Sequence, residues 1–194
     1  MDPSKMAQIA GTAGIISTTT FWSMNFTIDY LTFPALLLGG VPKASSSSKH
    51  SPRFLTPSTD SSQASGPFLN RQWQEVYWRG HRWGPLSAIL SGASFMTAAW
   101  FSSSKSNQQY LYATAAVAAV SVVPWTILVM VPYNNELHRR GDAQLAAGEK
   151  DAEQEAKGDG RDLMVLIRKW LFYNDIRASL ALGATLAGVM ASLQ

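Results

Sequence analysis

Trp170, Asn174 and Arg177 are spaced i, i+4 and i+7, so a helix puts an indole, an amide and a guanidinium on one face. Thr126, Met130 and Asn134 form a second stripe of the same kind. Asn25 and Asp29 sit one turn apart ahead of Pro34, and His81 stands just before another apolar stretch. These groups can hydrogen-bond, exchange a proton or stack. The chain offers little for other chemistries. His50, His81 and His138 lie in separate polar stretches with no HxxH, HxxxH or HExxH spacing, so no metal site is expected. The Glu-x-x-His pairs of a carboxylate-bridged di-iron bundle are missing too. With no cysteine, disulfide, thiol-redox and thiolate–metal chemistry are excluded, and with them a vitamin-K type of thiol reductase. Neither GxGxxG nor a P-loop occurs, and no GxSxG elbow supports a Ser/His/Asp nucleophile, although those residue types are present. An enzyme built from this chain is expected to work without a tightly held organic cofactor.

The elements that must position these groups are apolar and long. Mean hydropathy is -0.02, an average that hides segregation. No Asp, Glu, Lys or Arg occurs between Lys5 and Asp29, between Arg82 and Lys105, between Lys105 and Glu136, or after Arg177. A soluble amphipathic helix carries charge every turn along one face. A bilayer span needs roughly 17–25 mostly apolar residues. Four segments qualify, at about 6–39, 84–103, 108–133 and 163–193. A soluble bundle is the alternative, but nothing would solvate the outer faces of residues 108–133. The expected fold is all-α: an integral membrane, up-and-down four-helix bundle in one domain. The first apolar stretch exceeds a 7–15-residue signal-peptide core and lacks a small-residue cleavage site, so it is expected to be retained.

Basic residues set the orientation. Lys43, Lys49, Arg53, Arg71, Arg79 and Arg82 fall in the first connection. Arg139, Arg140, Lys150, Lys157, Arg161, Arg168, Lys169 and Arg177 fall in the third or at the start of the last segment. The opposite side holds only Lys5 and Lys105. The positive-inside rule places the first and third connections in the cytoplasm and both termini outside or in a lumen, with endoplasmic reticulum or a related endomembrane as the expected location. The net charge of +3 belongs to these flanks and gives no reason to expect nucleic acid. Residues 44–66 are Ser- and Pro-rich and expected to be mobile. Residues 67–83 interleave Trp73, Tyr77 and Trp78 with arginines, the pattern of a helix at headgroup level. Residues 136–162 read as a charged, solvated helix broken at Gly158–Gly160. No internal repeat is visible.

An up-and-down bundle brings the ends of its first and third helices to the starts of its second and fourth, which gathers Asn25, Asp29, His81, Asn134, Trp170, Asn174 and Arg177 on the cytoplasmic rim. Each has a structural reading beside a functional one. Asn134 or Asn135 caps the end of the third helix. Arg177 snorkels to the interface or pairs with Asp29, an ionisable residue of the kind that is paired or functional inside a membrane. Trp170 is a belt aromatic, and His81 lies idle in the interface.

In order and spacing, "WQEVYWRGHRWGP" (Trp73, Tyr77, Gly80, Pro85), "PWTILVMVPYNNEL" (Pro124, Thr126, Met130, Pro132, Asn134, Leu137) and "WLFYNDIR" (Trp170, Asn174, Arg177) resemble the anthrone oxygenases, small four-helix membrane proteins of fungal polyketide pathways. A first span ending in "FPALLLGG" fits the same pattern, and the likeness covers most of the chain outside the Ser-rich and charged stretches.

The resemblance implies a monooxygenase-type reaction: a polyketide anthrone becomes an anthraquinone with molecular oxygen as co-substrate and no metal or flavin. It implies that the protein stabilises the anion formed at the benzylic methylene, places a base and admits oxygen. On that reading Trp170, Trp73 or Tyr77 stacks on the flat guest, with Thr126 and Met130 beside it. Arg177 and Asn134 or Asn174 hydrogen-bond the oxygen as charge grows. His81 is the base, with Asp29 or Asp175 in reserve. Membrane lipid and other pathway enzymes are the expected partners. A membrane scaffold, a lipophile carrier, or a cyclase or isomerase on the same bundle are the rival readings.

Overall fold

In the computed structural model, residues 2–38, 66–104 and 106–194 are described, excepting the side chains of 36–38, 66–68, 144, 145 and 147–162. Apart from Gly66, the Ser-rich connection lies outside them, as do the charged side chains of 147–162. Every described element is helical, as the charge-free apolar segments require, and no strand occurs among the described residues.

Helix α1 spans Pro3–Thr27, and Asp2 caps it by accepting from the Ser4 amide at 3.1 Å. It continues through a π turn, Ile28–Thr32, into α2, Phe33–Leu38. Then come α3, Gly66–Gly80, and α4, Trp83–Phe101. Helix α5, Asn107–Trp125, starts at a Ser106 cap that accepts from the Gln109 amide. A second π turn, Thr126–Met130, leads into α6, Val131–Ser192.

Element α6 doubles back. Trp170 hydrogen-bonds Asn134 at 2.7 Å, whereas a straight helix would separate residues 36 apart by about 54 Å. Its outgoing part prolongs α5, and its returning part runs antiparallel to α5, where Gln108 Nε2 donates to the Ala191 carbonyl. Helices α1, α4, α5 and the returning part of α6 form a ring in which each packs on two neighbours. Helix α3 lies across the end of this ring against α6.

The apolar end of the bundle packs Phe95 and Tyr112 among Ala98, Ala99, Ala115, Ala116, Ala119, Ala184, Ala187 and Ala191. Small side chains let the helices approach. Gly14 and Gly188 both face the Phe95 ring so closely that an added Cβ would lie 2.7 and 2.5 Å from it. The other end is built from Phe33, Leu69, Trp73, Met130, Leu137, Leu163, Ile167 and Trp170.

Large apolar side chains also cover the outside, among them Ile16, Trp100, Val117, Ile127, Leu128 and Phe172. The helical segment Asn107–Ala143 is long and apolar enough to cross a membrane.

The third apolar helix does not end at Asn134. It passes through Pro132 because the π turn widens the helix just where proline would clash with the carbonyl four residues back and leave it without a donor. Asn134 is therefore no C-cap, and its side chain is free for another task. The same arrangement, a π turn ending two residues before a proline, occurs at Ile28–Thr32 and Pro34.

Candidate active site

Between α1, the α3–α4 corner, the second π turn and the returning part of α6 lies a cavity of about 230 Å³. Met24, Ile28, Val76, Ile127, Met130 and Val131 make its apolar walls. Asn134, Trp170, Arg177, Tyr77, Thr126 and His81 add the polar and aromatic groups. Four distant stretches of sequence thus meet at one hollow.

The amides and the guanidinium are oriented by an unbroken chain of hydrogen bonds. Asn174 Nδ2 donates to Asp29 Oδ2 at 2.6 Å, which turns Asn174 Oδ1 toward Arg177, whose Nη2 donates to it. The same Nη2 donates to Asn25 Oδ1 at 2.6 Å. Asn25 is oriented in turn, because its Nδ2 donates to the Phe21 carbonyl at 2.7 Å. The guanidinium also sits over the Phe21 ring, 5.4 Å from its centroid. Arg177 therefore reaches Asp29 through Asn174 and not by a direct ion pair. Its Nε is buried and has no partner among the described residues. Trp170 Nε1 donates to Asn134 Oδ1 at 2.7 Å, leaving the Asn134 Nδ2 group as a donor for the cavity.

At the α3–α4 corner, His81 Nδ1 lies 3.0 Å from the Trp78 carbonyl. A carbonyl only accepts, so Nδ1 carries a proton, and the neutral ring in this tautomer keeps its lone pair on Nε2. The His81 ring stacks on Tyr77 at 5.4 Å, and His138 meets the edge of Tyr77 at 4.7 Å. Burial pushes the Tyr77 phenol up, with the Arg177 charge opposing it, so Tyr77 stays neutral and can donate. Burial pushes His138 down; Asp142 opposes that and His81 adds to it.

Of the residues singled out in the sequence, His81, Tyr77, Thr126, Met130, Asn134, Trp170 and Arg177 line the cavity. Asn174 stands behind the wall as a partner of Arg177, and Asp29 stands behind Asn174. Trp73 is fully buried and outside the lining: it backs Trp170 edge-on at 5.8 Å and stacks on Tyr77 at 5.2 Å, out of a guest's reach. Sequence reasoning missed the structural part of Asn25 and the lining by Met24, Ile28 and Val76. Asn25 was marked by its spacing from Asp29 but not as a partner of Arg177, and nothing in the spacing of Met24, Ile28 and Val76 marks them, since a helix face becomes a wall only when its neighbour is placed.

Residues 73–187, more than half of the chain, match the family model described as anthrone oxygenase. The chain belongs to the anthrone oxygenase family. It is 31% identical over 134 residues to the anthrone oxygenase encC of Aspergillus fumigatus, covering 63% of this chain and 69% of that protein. It is 30% identical to the monooxygenase hypC of Dothistroma septosporum, covering 64% of this chain and 63% of the relative. A noranthrone monooxygenase of Aspergillus flavus is also 30% identical, over 63% of this chain and 55% of its own length. The chain thus spans a little over half to about two thirds of these relatives. No solved structure matches it. The region matched to the anthrone oxygenase family begins at Trp73, so α1 with Asn25, and the π turn with Asp29, lie outside it.

Proposed function

We propose that the protein is a membrane-embedded oxygenase that converts a polyketide anthrone into the matching anthraquinone with molecular oxygen. The observation that carries this reading is the cavity itself. In a member of this family, a mostly apolar cavity of about 230 Å³ is lined by two hydrogen-bond donors, Arg177 and Asn134, and by a histidine whose Nδ1 is engaged by a carbonyl. The relatives' names supply the substrate class.

The chemistry follows from these groups. His81 Nε2 removes a proton from the methylene opposite the carbonyl. The anion delocalises onto the carbonyl oxygen, where Arg177 and Asn134 Nδ2 hold the growing charge, an arrangement in which each donor is typically worth about 3–4 kcal/mol. The anion gives one electron to oxygen, and the two radicals combine into a carbon-bound peroxide that takes its proton back from His81. Loss of the second methylene proton then breaks the O–O bond, leaving a new carbonyl and water. One anthrone and one dioxygen give one quinone and one water, so the balance closes with no external reductant. Trp170 and Tyr77 are placed to stack on the rings.

The exposed apolar side chains support a bilayer around the bundle, with spans at about 6–39, 84–103, 108–133 and 163–193. The basic first and third connections would face the cytoplasm. An endoplasmic or related membrane is the proposed location.

The test incubates purified, chelator-treated membranes carrying the protein with an anthrone under labelled dioxygen. Label is expected in the new carbonyl well above the spontaneous background. Unlabelled product, or label only at the background rate, would sink the oxygenase reading. Activity lost to the chelator and restored by a metal would overturn the metal-free scheme.

A further inference from the structure

Arg177 is anchored to α1 as well as to its own helix. Its Nη2 spends its two protons on Asn174 and Asn25, one helical turn along α6 and across the interface on α1. Asn25 has little freedom to do otherwise. Its Nδ2 is committed to the Phe21 carbonyl, so a flipped amide would set oxygen against oxygen and point a donor at a cation. Phe21 and Asn25, one turn apart, thus form a cradle: a ring under the guanidinium and an acceptor at its rim. What the cradle leaves over is the Nε side of the guanidinium, buried and unpartnered among the described residues, on a side chain that lines the cavity.

We infer that Asn25 is a positioning residue of the site: by holding Nη2 it presents the remaining N–H groups of Arg177 to an oxyanion in the cavity. This rests on the reading of the cavity as an anion-stabilising site, and it assigns to α1, outside the family-matched region, a share in that site. Without Asn25 the guanidinium keeps Asn174 and loses its second anchor. It can then turn on its flexible stem, and a donor about 1 Å out of place gives up much of its effect on a developing charge.

The test uses the full chain in bilayer nanodiscs and two probes: a hydroxyanthraquinone, whose absorbance changes when its phenol ionises, and an anthraquinone with no ionisable group. Wild type is expected to move the bound phenol's ionisation at least one pH unit downward. Asn25→Leu, close in size and without an acceptor, and Asn25→Ser are expected to lose more than half of that shift. Both should bind the non-ionisable probe within about threefold of wild type and turn over an anthrone about tenfold more slowly at unchanged KM. Thr18→Val is the control. It removes the 2.9 Å hydrogen bond from Thr185 that also joins α1 to α6 near the middle of the bundle, and it should leave the ionisation where wild type has it.

If both Asn25 variants ionise the probe as wild type does, or if Thr18→Val behaves like them, Asn25 is only a packing residue. A wild-type protein that binds the probe without shifting it would remove the anion site and this inference with it. A shift that depends on Asn25 in a protein that oxidises no anthrone would keep the positioning role and overturn only the substrate.

Discussion

Each polar side chain at the site is fixed by one partner and turned by it toward the next. Trp170 holds Asn134, Asp29 holds Asn174, and the Phe21 carbonyl holds Asn25. Replacing Arg177 with alanine should lower kcat for anthrone about 10²–10³-fold, the usual loss for an oxyanion donor. Arg177→Lys should rescue little of it, because a single ammonium cannot serve two amides and a guest in the planar geometry of a guanidinium. Initial rates in nanodiscs measure both. Trp170→Phe keeps a ring but removes the donor to Asn134. Leaving that buried oxygen unpartnered should cost about 1–3 kcal/mol, read as a lower unfolding midpoint. Trp170, Asn174 and Arg177 were legible as a set, as were Thr126, Met130 and Asn134, since helical spacing places each trio on one face before any fold is known. The bond between Trp170 and Asn134 was not, because it joins residues 36 apart.

Two π turns shape the helices beside the cavity, and each ends two residues before a proline. The second contributes Thr126, Ile127 and Met130 to the lining. A π turn accommodates one extra residue while the helix on either side stays in phase. Deleting Leu128, which points outward and is 75% exposed, together with Pro132→Ala should restore an ordinary helix and keep Asn134 in place. Circular dichroism should show unchanged helicity, and anthrone turnover should fall at least tenfold because the wall is rebuilt. Farther along, Glu136 accepts from Arg139 and Arg140 at 2.7 and 2.8 Å, which lowers its carboxyl from 4.5 to about 2. A carboxyl lowered in the folded state stabilises above its unfolded value and loses that contribution as pH falls. The difference in unfolding midpoint between wild type and Glu136→Gln should therefore be constant above about pH 5 and shrink between 4.5 and 2. The sequence offered Asn134 or Asn135 as the cap of the third helix. The structure keeps the helix going, since a wider turn costs less than exposing several backbone groups.

At the level of the molecule, the outer surface carries the strongest physical demand. Trp100, Val117, Leu128 and Phe172 point outward with no described neighbour to cover them. In water such a surface aggregates; in hydrocarbon it is the natural exterior. Val117 is 67% exposed and lies inside the apolar 108–133 segment. Val117→Lys should therefore cost about 2.5–3.5 kcal/mol of membrane insertion, read as a shift toward the non-inserted form in a glycosylation-mapping assay. The same change on a soluble bundle would be close to neutral, and that outcome would end the bilayer reading. A lipid exterior would also give an apolar substrate a reservoir beside the cavity, where the lining residues Pro85 and Ile127 are exposed.

Taken alone, the chain determined its helical class, the positions of its apolar segments and the faces on which Trp170, Asn174, Arg177 and the Thr126–Asn134 stripe would lie. These are local properties: a 3.6-residue period and the spacing of charges are written in consecutive residues. The tertiary structure decided the rest. It made Asn25 the partner of Arg177, put Asn174 between Arg177 and Asp29, set Trp73 behind Trp170 and turned His81 Nδ1 to the Trp78 carbonyl. Each of those outcomes depends on how one helix is rotated against another, and that rotation is fixed by packing among side chains far apart in sequence.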